Sequence, residues 1–146
     1  MEEGMIFLKP ITREMVKKYS LKKVGYDFMG YRIHKVEDLS FHHLIVPKRD
    51  CKEAGLGDGY VEWNGAILNQ ETSHDYLHII ERLDREMFEK ITQLMILQNR
   101  NGKLDVESLR LIREVLLAFE KEHINDTNGK GKRLIKRKYI EDRVIL

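Results

Sequence analysis

Ser40-Phe41-His42-His43-Leu44-Ile45-Val46-Pro47, then Asn64-Gly65-Ala66-Ile67-Leu68, then His74-Asp75-Tyr76-Leu77-His78: the reading of these three segments decides the fold. The first is rich in aromatic and β-branched residues, which suit a pleated strand. Pro47 stops it, because proline has no N–H to give a ladder. Residues 48–59 hold Gly55, Gly57 and Gly59 among charged groups and read as a long exposed loop. Tyr60 to Leu68 returns to strand-like composition. Glu71, Thr72 and Ser73 offer N-caps for a helix carrying His74 through Glu81. The predicted order is strand, glycine-bearing loop, strand, helix.

Downstream of this stretch the signal is helical. Met87, Phe88, Ile91, Leu94 and Met95 recur at helical spacing between Asp84 and Gln98. Asn99-Arg100-Asn101-Gly102 supplies a left-handed stop. Asp105 is an N-cap candidate, and Glu107 sits at the favourable end of the next dipole. Leu109, Ile112, Val115, Leu116 and Phe119 then form the inner face of a second long helix. The short linker predicts an antiparallel hairpin. Upstream, Thr12 is a candidate cap for a helix through Met15, Val16 and Tyr19, and Tyr31 to Val36 alternates in character. The expected organisation is one domain: an N-terminal helix and strand region over 1–39, the strand–strand–helix motif over 40–82, the hairpin over 83–124 and a basic tail over 125–146.

Composition bounds the rest. At 146 residues, with 42% hydrophobic and 34% charged residues, the chain reads as a soluble globular protein able to close a real core. No apolar run reaches the roughly 18 residues of a membrane span, and Met1-Glu2-Glu3 is not the basic start of a signal peptide. Cys51 is the only cysteine, which excludes an internal disulfide and a multi-cysteine zinc site. A cytoplasmic setting without a membrane partner is expected. The net charge of +2 names no partner, but its distribution is uneven. Residues 130–138 carry six cations and no acid. Such a segment suits phosphate contacts and equally suits a solvated terminus. Leu134, Ile135, Tyr139, Ile140, Val144, Ile145 and Leu146 argue that part of it packs back or pairs as a strand.

Four of the six histidines fall on the motif. His74 and His78, four apart, share one helix face, which lets two imidazoles hold one divalent ion. His42 and His43 are adjacent, so on a regular strand they point to opposite faces. One of them is then available as a metal ligand and its neighbour for proton chemistry, since an imidazole near pKa 6.5 suits removal of a proton from water. The same pair also fits one buried and one exposed histidine of ordinary packing.

With Asn64 between the two histidine groups, residues 40–82 resemble the HNH endonucleases, the ββα-metal nucleases that include the DNase colicins. That resemblance implies an α+β fold in which an HNH-like ββα-metal centre packs on the C-terminal helical hairpin. It implies that His42, His74 and His78 are metal ligands, that His43 is the general base, and that Asn64 fixes the loop and the orientation of the base. The implied activity is metal-dependent hydrolysis of a nucleic-acid phosphodiester, DNA being the expected substrate. Three histidines are softer than magnesium prefers, so zinc, nickel, cobalt or manganese suits better, with magnesium also in the candidate set. Two spacings depart from compact members. His43 and Asn64 are 21 positions apart, a long loop, and Asn64 to His74 is 10, about one more than expected, which calls for a bulge or shifted cap. The Cys-x-x-Cys brace of many members is absent.

Glu71 and Glu81 are placed to be alternate or outer acceptors, while His34 and His123 are expected at the surface or in packing. Arg32, Lys48, Arg49 and Arg82 are candidate phosphate contacts near the motif. Lys132, Arg133, Lys136 and Arg137 are the candidates on the tail. Trp63, Tyr60 and Tyr76 fit core packing better than base stacking. Two other readings use the same scaffold. One is a non-catalytic protein binding nucleic acid or a protein partner, such as a phage-type inhibitor or regulator. The other is a structural zinc site closed by a fourth protein ligand.

Overall fold

The computed structural model describes residues 8–144. β1 (Leu39–His43) and β2 (Gly65–Asn69) pair antiparallel, with Ser40 opposite Leu68, His42 opposite Ala66 and His43 opposite Gly65. β2 is buried along its whole length, packed against β1, α1 (Pro10–Lys18) and α5 (Arg85–Asn101). A short α2 (Leu21–Val24) follows α1, α3 (Lys48–Cys51) lies in the loop between the strands, and α4 (Asp75–Leu83) follows β2. The chain is therefore mixed α+β, with a strand–strand–helix order inside a mainly helical shell. Among the described residues, no helix is long and apolar enough to cross a membrane.

The hairpin forms as the periodicity predicts. Asp84 caps α5 by accepting from Met87 N at 3.1 Å, and Asp105 caps α6 (Val106–His123) by accepting from Ser108 N at 3.0 Å. Gly102 closes α5 at φ 69°, a left-handed conformation that costs glycine little. Ile91, Met95, Leu109, Ile112, Leu116 and Phe119 join one core with Ile67, Leu68, Tyr76 and Leu77. Full burial of each aliphatic side chain contributes about 1.5–3 kcal/mol, so this helical brace stabilises the motif without a second cysteine. The last turn of α5 also holds β2, for Asn99 Nδ2 donates to Gly65 O at 2.6 Å, and the turn before Tyr31, for Gln98 Nε2 donates to Phe28 O at 2.9 Å.

Several local expectations change. α1 begins at Pro10 rather than after Thr12, which is buried inside the helix, because proline at the first position already holds a helical φ. Tyr31 to Val36 is not a strand. The Asp27 carboxylate accepts from Met29 N and Tyr31 N at 2.9 and 3.0 Å, drawing the chain into a turn and leaving isolated bridges Tyr26–Arg32 and Tyr31–Arg143. Residues 62–64 form a 3₁₀ turn ahead of β2, since β1 ends at His43 and offers no further ladder. The 48–59 loop is not wholly exposed, as Cys51 is buried under Val46 and Pro47. Trp63, expected in the core, is 47% exposed.

The tail folds. A bridge joins Thr127 and Arg133, α7 spans Arg137–Glu141, and the Tyr139 ring stacks on Tyr76 with centroids 4.8 Å apart. Arg143 Nη2 donates to Glu120 Oε1 at 2.9 Å, and the other Glu120 oxygen accepts from Tyr76 at 2.7 Å. Burial and this bond push the Tyr76 phenol upward, so it stays a donor. Ile145, Leu146 and the Met1-Glu2-Glu3 start lie outside the described residues.

Candidate metal centre

Alternation along β1 sorts its side chains. Ser40 and His42 face the chain around α4, while Phe41 and His43 meet edge to face on the other side, 5.1 Å apart. A π-helical turn over Gln70–His74 then leads directly into α4. Such a turn holds one residue more than an α-turn, which absorbs the extra position between Asn64 and His74. Thr72 and Ser73 are buried in this turn and do not cap the helix. Ser73 Oγ donates instead to the Asp27 carboxylate at 2.5 Å. Asn69 N and Nδ2 donate to the same carboxylate at 2.9 and 2.8 Å. Asp27 thus anchors the segment that carries His74, although desolvation pushes its carboxyl upward.

The geometry brings His42, His74 and His78 together. One nitrogen from each ring lies within 4.8 Å of the other two. His42 Nδ1 and His74 Nε2 are 3.3 Å apart. Two nitrogens bound to one tetrahedral ion at about 2.0–2.1 Å stand about 3.3–3.4 Å from each other, so this edge already has the right length. The other nitrogen of His42, Nε2, is buried without a partner, which leaves Nδ1 as the ring's engaged atom. Burial, followed by the charge of neighbouring rings, holds His42 well below the usual histidine range. The same causes bring His74 down to about 4. Both rings are neutral at pH 7, with lone pairs available to a cation.

Outer partners fix how these rings present themselves. Ser40 Oγ lies 3.2 Å from Leu68 O and 2.7 Å from His74 Nδ1. The carbonyl can only accept, so the hydroxyl donates to it and receives the Nδ1–H of His74, turning the bare Nε2 toward His42. His78 Nδ1 donates to Glu81 Oε1 at 3.2 Å, and Arg85 Nη1 holds the other Glu81 oxygen at 3.1 Å. These contacts do for His74 and His78 what outer-sphere bonds do for metal-bound histidines. Among the described residues no fourth histidine, cysteine or carboxylate donor joins the triad. A site closed by four protein ligands is therefore not formed there.

His43 stands apart from the triad. Its Nε2 donates to Asp58 O at 2.9 Å, so Nδ1 carries the lone pair. Asn64 is fully buried and all its side-chain valences are used. Oδ1 accepts from Ile45 N and Val46 N at 2.9 and 2.8 Å, and Nδ2 donates to Val46 O and Gly59 O at 3.0 and 3.3 Å. It ties the end of the first strand segment to the residue beside Asp58, and so positions His43 without facing the cleft. Gly59, at φ 73°, completes the turn. A Cβ there would stand 2.2 Å from Cys51 Sγ and 3.0 Å from His43 Cδ2.

A cleft of about 770 Å³ runs over His42, His43, His74 and His78. Of the expected phosphate contacts, Lys48 and Arg49 line it; Arg32, Arg82, Lys132, Arg133, Lys136 and Arg137 do not. Lys9 and Arg85 line it unforeseen. Glu71 is exposed on the π-turn and outside the lining. His34 meets Asp142 at the surface, and His123 bonds Asp126 and packs on Phe119, as expected of surface and packing groups. Of the residues not foreseen, Ser40 was legible as the same-face neighbour of His42, whereas nothing local marks Asp27. Comparisons of the chain with protein-family models, curated proteins and solved structures give no match.

Proposed function

We propose that this chain is an HNH-type, ββα-metal endonuclease that hydrolyses phosphodiester bonds of nucleic acid, with DNA as the expected substrate. The observation that carries the reading is the convergence of His42, His74 and His78 nitrogens within 4.8 Å, in a cleft that His43 also lines with its Nε2 engaged by Asp58 O. A divalent ion held by the three imidazoles supplies Lewis-acid stabilisation of charge on the phosphate and the leaving oxygen. The all-nitrogen set favours zinc, nickel or manganese over magnesium.

The remaining steps belong to the chain's own side chains. His43 Nδ1 takes a proton from water, and its Nε2–H bond to Asp58 O steadies the imidazolium that results. The water oxygen forms the new bond to phosphorus as the bond to the leaving sugar oxygen breaks; that oxygen takes a proton from solvent, to which His43 returns the one it removed. Asn64 keeps the loop, and through it His43, in place. Lys48 and Arg49 supply positive charge for the flanking backbone.

The test is nicking of supercoiled plasmid with zinc, nickel, manganese or magnesium added. Wild type is expected to nick, and His43→Ala to lose about 10²–10⁴-fold in rate while retaining metal binding. A His43→Ala variant as fast as wild type, or a wild type that never cuts, refutes the proposal. Salt-sensitive binding without cleavage would instead favour the non-catalytic reading.

A further inference from the structure

Beside His43 the cleft carries charge that the proton chemistry does not use. Lys9 Nζ lies 4.2 Å from the Tyr60 ring centroid and Lys48 Nζ 5.5 Å from it. The Tyr60 ring in turn meets His43 edge to face at 4.8 Å. Three segments remote in sequence therefore gather at one ring: the N-cap of α1, the start of α3 and the end of the glycine loop. Both ammonium groups are exposed, and among the described residues neither has a carboxylate within salt-bridge distance. Arg85, the cation on the His78 side, is by contrast paired with both Glu81 and Glu89.

Two like charges brought to one ring repel, and the quadrupole of the half-buried Tyr60 ring offsets that only in part. An anion laid across them reverses the sign. A compact ammonium is a point-charge partner for phosphate and reads no base. The Tyr60 ring, already meeting two lysines and His43, acts as their pedestal.

We propose that Lys9 and Lys48, seated on Tyr60, form a backbone-phosphate subsite that holds a polynucleotide strand beside His43 without reading its sequence. It rests on the nuclease reading for its meaning, yet binding alone tests it. Anisotropy of a labelled 20-base-pair duplex, titrated with the metal-free full chain in EDTA between 50 and 200 mM salt, gives the slope of log K against log salt. The Lys9→Gln/Lys48→Gln double variant is expected to lose up to about 1.8 from the magnitude of that slope, about 0.9 for each phosphate contact. The loss should be equal on duplexes of different sequence. Lys22→Gln/Lys121→Gln, exposed and outside the cleft lining, is expected to keep the wild-type slope. Tyr60→Phe should behave as wild type and Tyr60→Leu should weaken binding. An unchanged slope in the double variant, or a wild type that does not bind the duplex, overturns the subsite. If the double variant loses slope but wild type never cuts plasmid, the subsite stands and the nuclease reading falls. If wild type cuts and the slope is unchanged, the reverse holds.

Discussion

Replacing Asn64 with alanine tests the link between fold and site most directly. The carboxamide makes four bonds, to Ile45 N, Val46 N, Val46 O and Gly59 O, from a side chain with no exposed surface. A net hydrogen bond contributes about 0.5–1.5 kcal/mol, giving about 2–6 kcal/mol for four. Ile45 is exposed and Val46 half-buried, so water can replace part of what they lose, and about 3 kcal/mol is the expected cost. For a chain of this size that is a drop of about 6–12 °C in Tm. Release of Gly59 also frees Asp58, the acceptor for His43, so the nicking rate should fall as well. His43→Ala, whose ring is only half-buried, should cost the rate far more and the Tm far less. Calorimetry at pH 7 in EDTA, paired with plasmid nicking in metal, separates the two. An Asn64→Ala protein melting within about 2 °C of wild type would show that the loop does not depend on this residue.

Other perturbations reach the same site by different routes. Ser40→Ala removes the acceptor that turns His74 Nε2 toward His42, so zinc affinity measured by chelator competition should fall about 10–100-fold with the fold intact; unchanged affinity rejects the orienting role. Gly59→Ala forces a side chain onto Cys51 at a left-handed φ, and a melting temperature equal to wild type would contradict the packing described. In EDTA the protein should lose stability as pH falls from 6.5 toward 4. Unfolding frees His42 and His74 to protonate at the ordinary value, so the unfolded state binds more protons in that window, at up to about 3 kcal/mol for His74. Asp27, pushed up by burial, works in the opposite sense. Urea melts in this window that show no decline, or no smaller decline for His74→Gln, would rule out the buried neutral rings.

The five polar positions, His42, His43, Asn64, His74 and His78, were readable because each chemistry needs a residue type that few others supply, and because strand and helix periods are local. Two adjacent residues on β1 must diverge, and two residues four apart near α4 must converge. The hairpin was equally legible, since its caps and apolar stripe are short-range properties of the chain. Even the surplus residue before His74 was visible as a count, although the count did not say that a π-turn would absorb it.

What lay beyond the sequence concerned partners brought together from afar. Asp27 and Ser73 are remote in sequence, and no propensity predicts that a buried carboxylate will take the hydroxyl that local rules assign to a helix cap. The tail divides along the same line: its apolar residues, Tyr139 among them, predicted that part of it packs back, but not that Tyr139 and Arg143 would dock it against Tyr76 and Glu120. Lys9 and Lys48 share the Tyr60 ring only because the closed chain brings the start of α1, the start of α3 and the loop end to one place. Residue type and spacing settle which chemistry a segment can perform. Which side chains share a site, which rings stay neutral and which charges go unpaired are long-range properties, decided by burial and by contacts that exist only once the chain has closed.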